Sequence, residues 1–415
     1  MNEFKHLIVL TMGAYPSGGA STNRHLSYLK GLVELGINVK LLIIRSPNNG
    51  INTNENISGV YNGVNFEYIQ PKIIIRHLFT NTFFKFKYRI TAIFRTIVVI
   101  KENNTSDTKL LVLLSSFFDI FPYWIISKLY KVKIYHEITE HPALYMTTFF
   151  KKISLYLYLN FLLPQLDGIF VITNFLLIYL RKYVKNENKL IHIPITVELE
   201  RFQSDKGNTN IYGTYIAYCG SMYDNIGIPM YIDKNGPVYG DKDGVSDLIK
   251  AFDYLCCKIS NINLLLIGDN SDPVGFKSIQ NTIDSSPNKK NIICTGKVSR
   301  ECMPEMLKDS IILALARPDN LQAKGGFPTK LGEYLSTGNP VVITDVGEIS
   351  DYLEDGVSAY ISPPNNPELF GNKLIEAASD LAKSRKIGEE GRNVALKYFD
   401  YKVQSKRLYL FLSEN

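Results

Sequence analysis

Cysteine is scarce in this chain, and its spacing carries no metal or disulfide pattern. The five residues, Cys219, Cys256, Cys257, Cys294 and Cys302, are odd in number and contain no C-x-x-C pair. A zinc ligand set and a disulfide framework are both disfavoured, and reduced thiols are expected. Tryptophan is nearly absent, with one residue against 26 Tyr and 22 Phe. Long apolar runs are lacking too. The longest, 110–126, is broken by Asp119 and Pro122 and reads as a buried strand followed by a helix, not a membrane span. The opening MNEFKHLIVLTMG has an apolar run of only about six residues, too short for a signal peptide. A cytoplasmic location is therefore expected. Nothing after the first strand reads G-x-G-x-x-G, so a dinucleotide-binding fingerprint, and with it a dehydrogenase, is disfavoured.

What is present is a globular composition, with 45% hydrophobic and 21% charged residues and a mild net charge of +6. A length of 415 residues suits two domains. Apolar strand-like runs alternate with helical patterns throughout. In the first half they cover 6–11, 38–44, 64–69, 109–115, 132–137, 168–173 and 190–195. In the second they cover 215–219, 262–267, 292–295, 311–316, 340–344 and 359–362. Continuous apolar strands between helices imply parallel sheets covered on both faces, hence an α/β fold with two Rossmann-like domains. A polar stretch, 203–214, reads as the linker, which gives domains at 1–202 and 203–390. A last helix is expected from about 389 to 412, so residues 391–415 form a terminal segment.

The stretch RPDNLQAKGGFPTKLGEYLSTGNPVVITDVGEISDYL (317–353) has its own physical logic. Gly325 and Gly326 are expected to open a tight loop that lets backbone approach a ligand. Pro328 is expected at the first helical position, with φ preset for helix entry. The following helix offers unpaired N–H groups and a positive dipole end, which suits phosphate. Lys330 and Glu333 share one face of it. A cation near phosphate and a carboxylate one turn on fit a nucleoside diphosphate.

This stretch resembles the C-terminal signature of the retaining GT-B glycosyltransferases, the group 1 or family 4 type common in cell-surface polysaccharide synthesis. That signature has Glu, seven residues, Glu, then a small-residue turn and a PVV strand. Glu333 matches the second Glu, which the resemblance implies binds the donor ribose. Gly325 stands where the first would be. The resemblance implies a GT-B fold whose two Rossmann-like domains face a central cleft, with the last helix packing back on the first domain. It also implies donor contacts from Gly325, Gly326, Phe327, Pro328 and Thr329. Gly18 and Gly19, with Ala20 and the following Arg24, resemble the family's glycine loop near the donor diphosphate and the acceptor. Ser21 and Thr22 are expected to cap the helix that follows. After the strand at 215–219 the family carries Arg and Lys for the diphosphate. Here Ser221 takes the Arg position, Asp243 precedes Gly244, and Lys242, displaced by one, is taken as the functional lysine. Residues 224–240 look like an insertion, either folding over the donor or making a surface excursion.

In KIYHEITEHP (133–142), His136, Glu137, Glu140 and His141 cluster after a strand. The spacing is not H-E-x-x-H on a helix, and Pro142 prevents one, so a metal site is rejected. The resemblance places a polar residue here near the reacting sugar, a role open to His136 or Glu140. Glu137, with Arg24, is assigned to the acceptor side.

Residues 68–101 contain no acidic residue but seven basic ones, Lys72, Arg76, Lys85, Lys87, Arg89, Arg95 and Lys101, interleaved with Phe and Ile. Residues 151–163 (KKISLYLYLNFLL) are a second such patch. Both suit an anionic membrane surface, and no nucleic-acid motif accompanies them. The expected function is retaining transfer of a sugar from a nucleoside-diphosphate donor to a glycan or lipid-linked glycan, peripheral to the inner membrane face. Lys242, Lys330 and the helix start at 326–329 are expected to stabilise the leaving diphosphate without metal or other cofactor. The alternatives are a sugar-nucleotide epimerase or hydrolase, and a non-catalytic nucleotide-sugar-binding protein.

Overall fold

The computed structural model describes residues 4–45, 56–70, 82–145, 148–203, 210–222, 231–233, 236–238, 242–270 and 275–414. The chain forms two compact units. The first comprises Met1–Thr139, Thr148–Val197 and Tyr401–Asn415; the second comprises Glu140–Thr147 and Glu198–Asp400.

The first unit carries β1 (His6–Thr11), α1 (Ala20–Glu34), β2 (Asn38–Ile43), β3 (Ser58–Tyr61), β4 (Val64–Tyr68), α2 (Thr82–Glu102), β5 (Thr108–Leu113), α3 (Phe117–Tyr130), β6 (Lys133–Ile138), α4 (Phe149–Leu157), β7 (Gly168–Val171), α5 (Asn174–Leu180) and β8 (Leu190–His192). Its sheet runs β3-β4-β2-β1-β5-β6-β7-β8, parallel except for the β3–β4 pair. Leu7, Ile8, Val9 and Leu10 are all buried, as strands covered on both faces require.

The second unit holds β9 (Tyr215–Cys219), β10 (Tyr231–Asp233), β11 (Gly236–Val238), α6 (Val245–Cys256), β12 (Asn263–Ile267), α7 (Lys277–Ser285), β13 (Ile292–Gly296), α8 (Met303–Asp309), β14 (Ile312–Leu315), α9 (Leu321–Gly325), α10 (Thr329–Ser336), β15 (Val341–Thr344), α11 (Ile349–Tyr352), β16 (Tyr360–Ser362), α12 (Pro367–Ser379) and α13 (Leu381–Tyr398). Its parallel sheet runs β13-β12-β9-β14-β15-β16. Val245, Leu248, Ile249 and Phe252 of α6 form one buried face.

Each strand expected from an apolar run is present. Among the described residues three more appear: β3 at the exposed sheet edge, and β10–β11, an antiparallel hairpin within 224–240. Parts of that segment, and residues 204–209 of the expected linker, lie outside the described residues. The single terminal helix expected from 389 to 412 is two helices, α13 and α14 (Tyr401–Glu414). Buried Phe399 separates them, its ring 5.6 Å from Phe327 and 5.0 Å from Tyr352.

Candidate functional site

The C-terminal ends of β9 and β14 and the start of α10 bring the charged groups of the second unit together. Ligands of open α/β sheets bind at such strand ends. Lys330, in the first turn of α10, reaches back across Gly220. Its Nζ lies 2.5 Å from Asp243 Oδ2, 3.1 Å from Tyr218 Oη and 4.5 Å from the centre of the Tyr218 ring. A Cβ on Gly220 would overlap that ammonium, so glycine there is a matter of space. Tyr218 in turn donates to Asp243 Oδ2 at 2.9 Å. Burial would raise the Asp243 pKa, but Lys330 and Arg317 outweigh it and hold the carboxyl at about 2.

Arg317, just past β14, is a buried cation. Its Nε stands 3.8 Å from Asp243 Oδ1 and its Nη1 donates to Gly326 O at 3.3 Å. Burial holds its pKa below the usual arginine value, opposed by Asp243 and Glu140. Lys242 and Glu140 pair at 3.5 Å, both partly exposed. Glu333, one turn after Lys330, meets Arg201 at 3.3 Å, and Arg201 also donates to Arg300 O at 2.7 Å. Tyr334 fixes the end of β9, its hydroxyl accepting from Cys219 N at 2.6 Å.

The glycine-rich segment differs from expectation. Gly325 closes the short helix α9 and Gly326 is extended, so neither makes a tight turn. Gly325 is needed for space: a Cβ there would lie 2.9 Å from His141 Cβ and 3.1 Å from His141 N. The position that carries Glu in the resembled family is filled from outside by His141. Pro328 precedes α10, whose helical residues start at Thr329, so it sits one position before its expected place. The first-turn N–H groups of α10 remain the end-of-helix donors of its eight residues. Phe327, expected to touch donor, turns its side chain into the core against Tyr352 and Phe399. Ser221 is exposed, and its carbonyl oxygen lies 2.9 Å from Tyr218 Oη.

In the first unit, three expectations are corrected by burial. Arg24 Nε donates to Glu137 Oε1 at 2.8 Å, and its Nη1 and Nη2 donate to the carbonyls of Pro194 and Ile193. Glu137 Oε2 receives His25 Nε2 at 2.9 Å and Tyr28 Oη at 3.1 Å. Both side chains are about 1% exposed, so this pair is a structural anchor and leaves nothing for an acceptor. Burial raises the Glu137 pKa, but Arg24 and His25 hold it at about 2. His136 is buried, its Nδ1 2.6 Å from Val112 O and its ring edge-on to Tyr158; burial pushes its pKa down to about 4. It belongs to the core and is neutral. Gly19 is the N-cap of α1, with no side-chain cap; Ser21 and Thr22 lie inside the helix. Gly18 leaves room for Thr22 Oγ1 to reach Ala14 O at 2.8 Å.

Sequence reasoning missed Arg317, Asp243 and Tyr218. An Asp directly before the glycine that opens α6, where a lysine was sought, was the one available signal. Among the described residues no three His, Cys, Asp or Glu side chains converge as a metal site would need.

Two parallel-sheet α/β units in one chain are the parts of a GT-B fold. Residues 238–394 match the model of the family described as Glycosyl transferases group 1. An uncharacterized glycosyltransferase of Methanocaldococcus jannaschii, MJ1178, is 27% identical over 152 residues, 36% of this chain and 40% of that protein. The match therefore spans well under two thirds of this curated relative. The fold is similar to sucrose-phosphate synthase from Thermosynechococcus elongatus, with TM-score 0.72 and 13% identity over 99% of this chain and 98% of that one. It is also similar to Anabaena HepE in complex with UDP, with TM-score 0.71 and 11% identity over 99% and 100%. These likenesses show the GT-B fold.

Proposed function

We propose that the chain transfers a hexosyl group from a nucleoside-diphosphate sugar to an acceptor hydroxyl, with retention at the anomeric carbon. The observation that carries this is the convergence of Lys330, Arg317 and the α10 N-terminus at the strand ends of a group 1 domain. Lys242 adds a partly exposed cation on the same unit. Anabaena HepE, similar in fold, is described in complex with UDP-glucose, which supports a nucleotide-sugar donor here.

In the reaction the bond from the anomeric carbon to the diphosphate breaks and its electron pair goes to the phosphate oxygen. Lys330, Lys242 and the first-turn N–H groups of α10 stabilise that growing charge. They act without a metal ion in this reading. The acceptor oxygen bonds to the anomeric carbon and its proton must be taken up. With His136 in the core, Glu140 is the candidate to receive it. Glu333 holds the ribose, exchanging Arg201 for its hydroxyls. The acceptor is a glycan or lipid-linked glycan, handled at the inner face of the membrane in surface polysaccharide assembly.

One observation favours a second reading. Gly325 leaves no space for a sugar-contacting carboxylate, as a protein that binds nucleotide sugar without turning it over would permit. Release of nucleoside diphosphate from a panel of nucleotide sugars, with and without glycan acceptors, separates the cases. Transfer requires release that depends on acceptor, and proton NMR of the product should show the donor's anomeric configuration. Release without acceptor indicates a hydrolase. Binding without release indicates the non-catalytic protein.

A further inference from the structure

Three helices of the first unit turn large apolar side chains outward, and α3 touches both of the others. Phe94 is exposed on α2 and Phe118 on α3. On α4, Phe149 and Phe150 are 72% and 78% exposed and Tyr156 is 67% exposed, and Phe161 follows in the next turn. Beneath them lies a fixed aromatic bed. Phe121 stacks on Trp124 at 5.5 Å, and Phe161 meets Trp124 edge-on at 6.1 Å. Phe117 N donates to Ser154 Oγ at 3.2 Å, which ties α4 to α3. Large apolar side chains exposed on helices that touch one another suit a partner-binding surface.

Charge identifies that partner. Residues 68–166 hold thirteen Lys and Arg against five Asp and Glu, a net +8, more than the +6 of the whole chain. Residues 141–166 contain no acidic residue at all, and Lys151 and Lys152 directly follow Phe149 and Phe150, the most exposed phenylalanines among the described residues. Lys128 and Lys131 flank exposed Leu129 at the end of α3. Arg95 is held by Glu67 through two hydrogen bonds of 2.8 and 2.9 Å, and Arg89 by Asp119 at 2.7 Å. Lys72 and Arg76 of the acid-free stretch lie outside the described residues. No helix among the described residues is long and apolar enough to cross a membrane. Aromatic residues ringed by lysines on a helix face suit the interface of an anionic bilayer.

We infer that the α3–α4 face is a docking surface for an anionic lipid bilayer, with Phe149 and Phe150 entering the headgroup region and Lys128, Lys131, Lys151 and Lys152 engaging lipid phosphate. This deepens the membrane-acceptor reading above by naming the surface, and its test needs neither donor nor transfer.

The only tryptophan in the chain, Trp124, lies in this face and reports on it. The full chain is sedimented with phosphatidylcholine vesicles, with and without phosphatidylglycerol, at low and high salt. Vesicles carrying brominated lipid quench a tryptophan near the acyl chains. Binding should require phosphatidylglycerol, weaken with salt, and quench Trp124. Phe149→Ser/Phe150→Ser and, separately, Lys151→Glu/Lys152→Glu should each weaken binding by about tenfold or more. Unchanged circular dichroism confirms that the variants fold. Absence of binding to anionic vesicles, binding without quenching, or undiminished binding by both folded variants overturns the inference. So does self-association in sedimentation equilibrium that the Phe149→Ser/Phe150→Ser variant abolishes, because the face would then join two copies. A chain that docks on vesicles but never transfers sugar leaves this inference standing and removes the function proposed above.

Discussion

Lys330 and Asp243, 87 positions apart, form the tightest ion pair among the described residues of the second unit, with Nζ to Oδ2 at 2.5 Å. The lysine proposed to meet a donor phosphate thus has its charge shared with a buried carboxylate. Arg317 stands on the other side of that carboxylate, so two cations surround one anion.

Lys330→Ala should lower turnover about a hundredfold or more, as loss of a group that stabilises developing charge does. Asp243→Asn should act differently. It leaves Lys330 and Arg317 without their counter-charge, and stability should fall by about 3–5 kcal/mol. Nucleotide affinity should survive in that variant, since both cations remain. Turnover assays and thermal melts of the two variants check this. A fully active Lys330→Ala enzyme would remove the lysine from the reaction.

Gly325→Ala should destabilise the chain by about 1–3 kcal/mol, because the new Cβ meets His141 Cβ at 2.9 Å. Gly325→Glu should therefore not raise activity, although it restores the carboxylate of the resembled family. Denaturant midpoints and turnover of both variants test the point. A stable, more active Gly325→Glu chain would contradict the close packing.

Glu137→Gln should cost about 3–5 kcal/mol by leaving buried Arg24 uncompensated. The pH dependence follows from the same pair. The folded pKa of Glu137, about 2, is below its ordinary value of 4.5. Its contribution is therefore fully present above about pH 4.5 and lost as pH falls toward 2. Acid melts of wild type and Glu137→Gln should converge in that window. Parallel curves would show that the pair contributes no pH-dependent stability.

Activity should persist in excess chelator, since lysines and a helix N-terminus are proposed to neutralise the diphosphate. Complete loss of activity, restored by magnesium or manganese, would show that a metal ion takes part.

Much of the fold was legible because strands buried on both faces leave unbroken apolar runs, as in HLIVLT and VVIT. Exposed β3 (SGVY) leaves no such trace, and the β10–β11 hairpin sits inside an apparent insertion. The helix break before Tyr401 was hidden because buried Phe399 fits the helical pattern as well as it fits the core. In the site, local features were the readable ones: Pro328 before a helix, then Lys330 and Glu333 on one face. Distant partners were not. Arg24 and Glu137 look like polar loop residues until the fold brings them together across 113 positions. Arg317 draws its meaning from Asp243, 74 positions earlier, which no spacing rule connects.

The central claim, that the Lys330 site holds the diphosphate of a nucleotide sugar, is tested most directly by ligand-induced thermal shift. Nucleoside diphosphates of each common base are titrated into wild type and Lys330→Ala. A ligand that binds the folded state raises the melting temperature by mass action. At least one nucleoside diphosphate should stabilise wild type, and Lys330→Ala, though folded, should lose most of that shift. No shift with any base, or an equal shift in both proteins, would contradict the account.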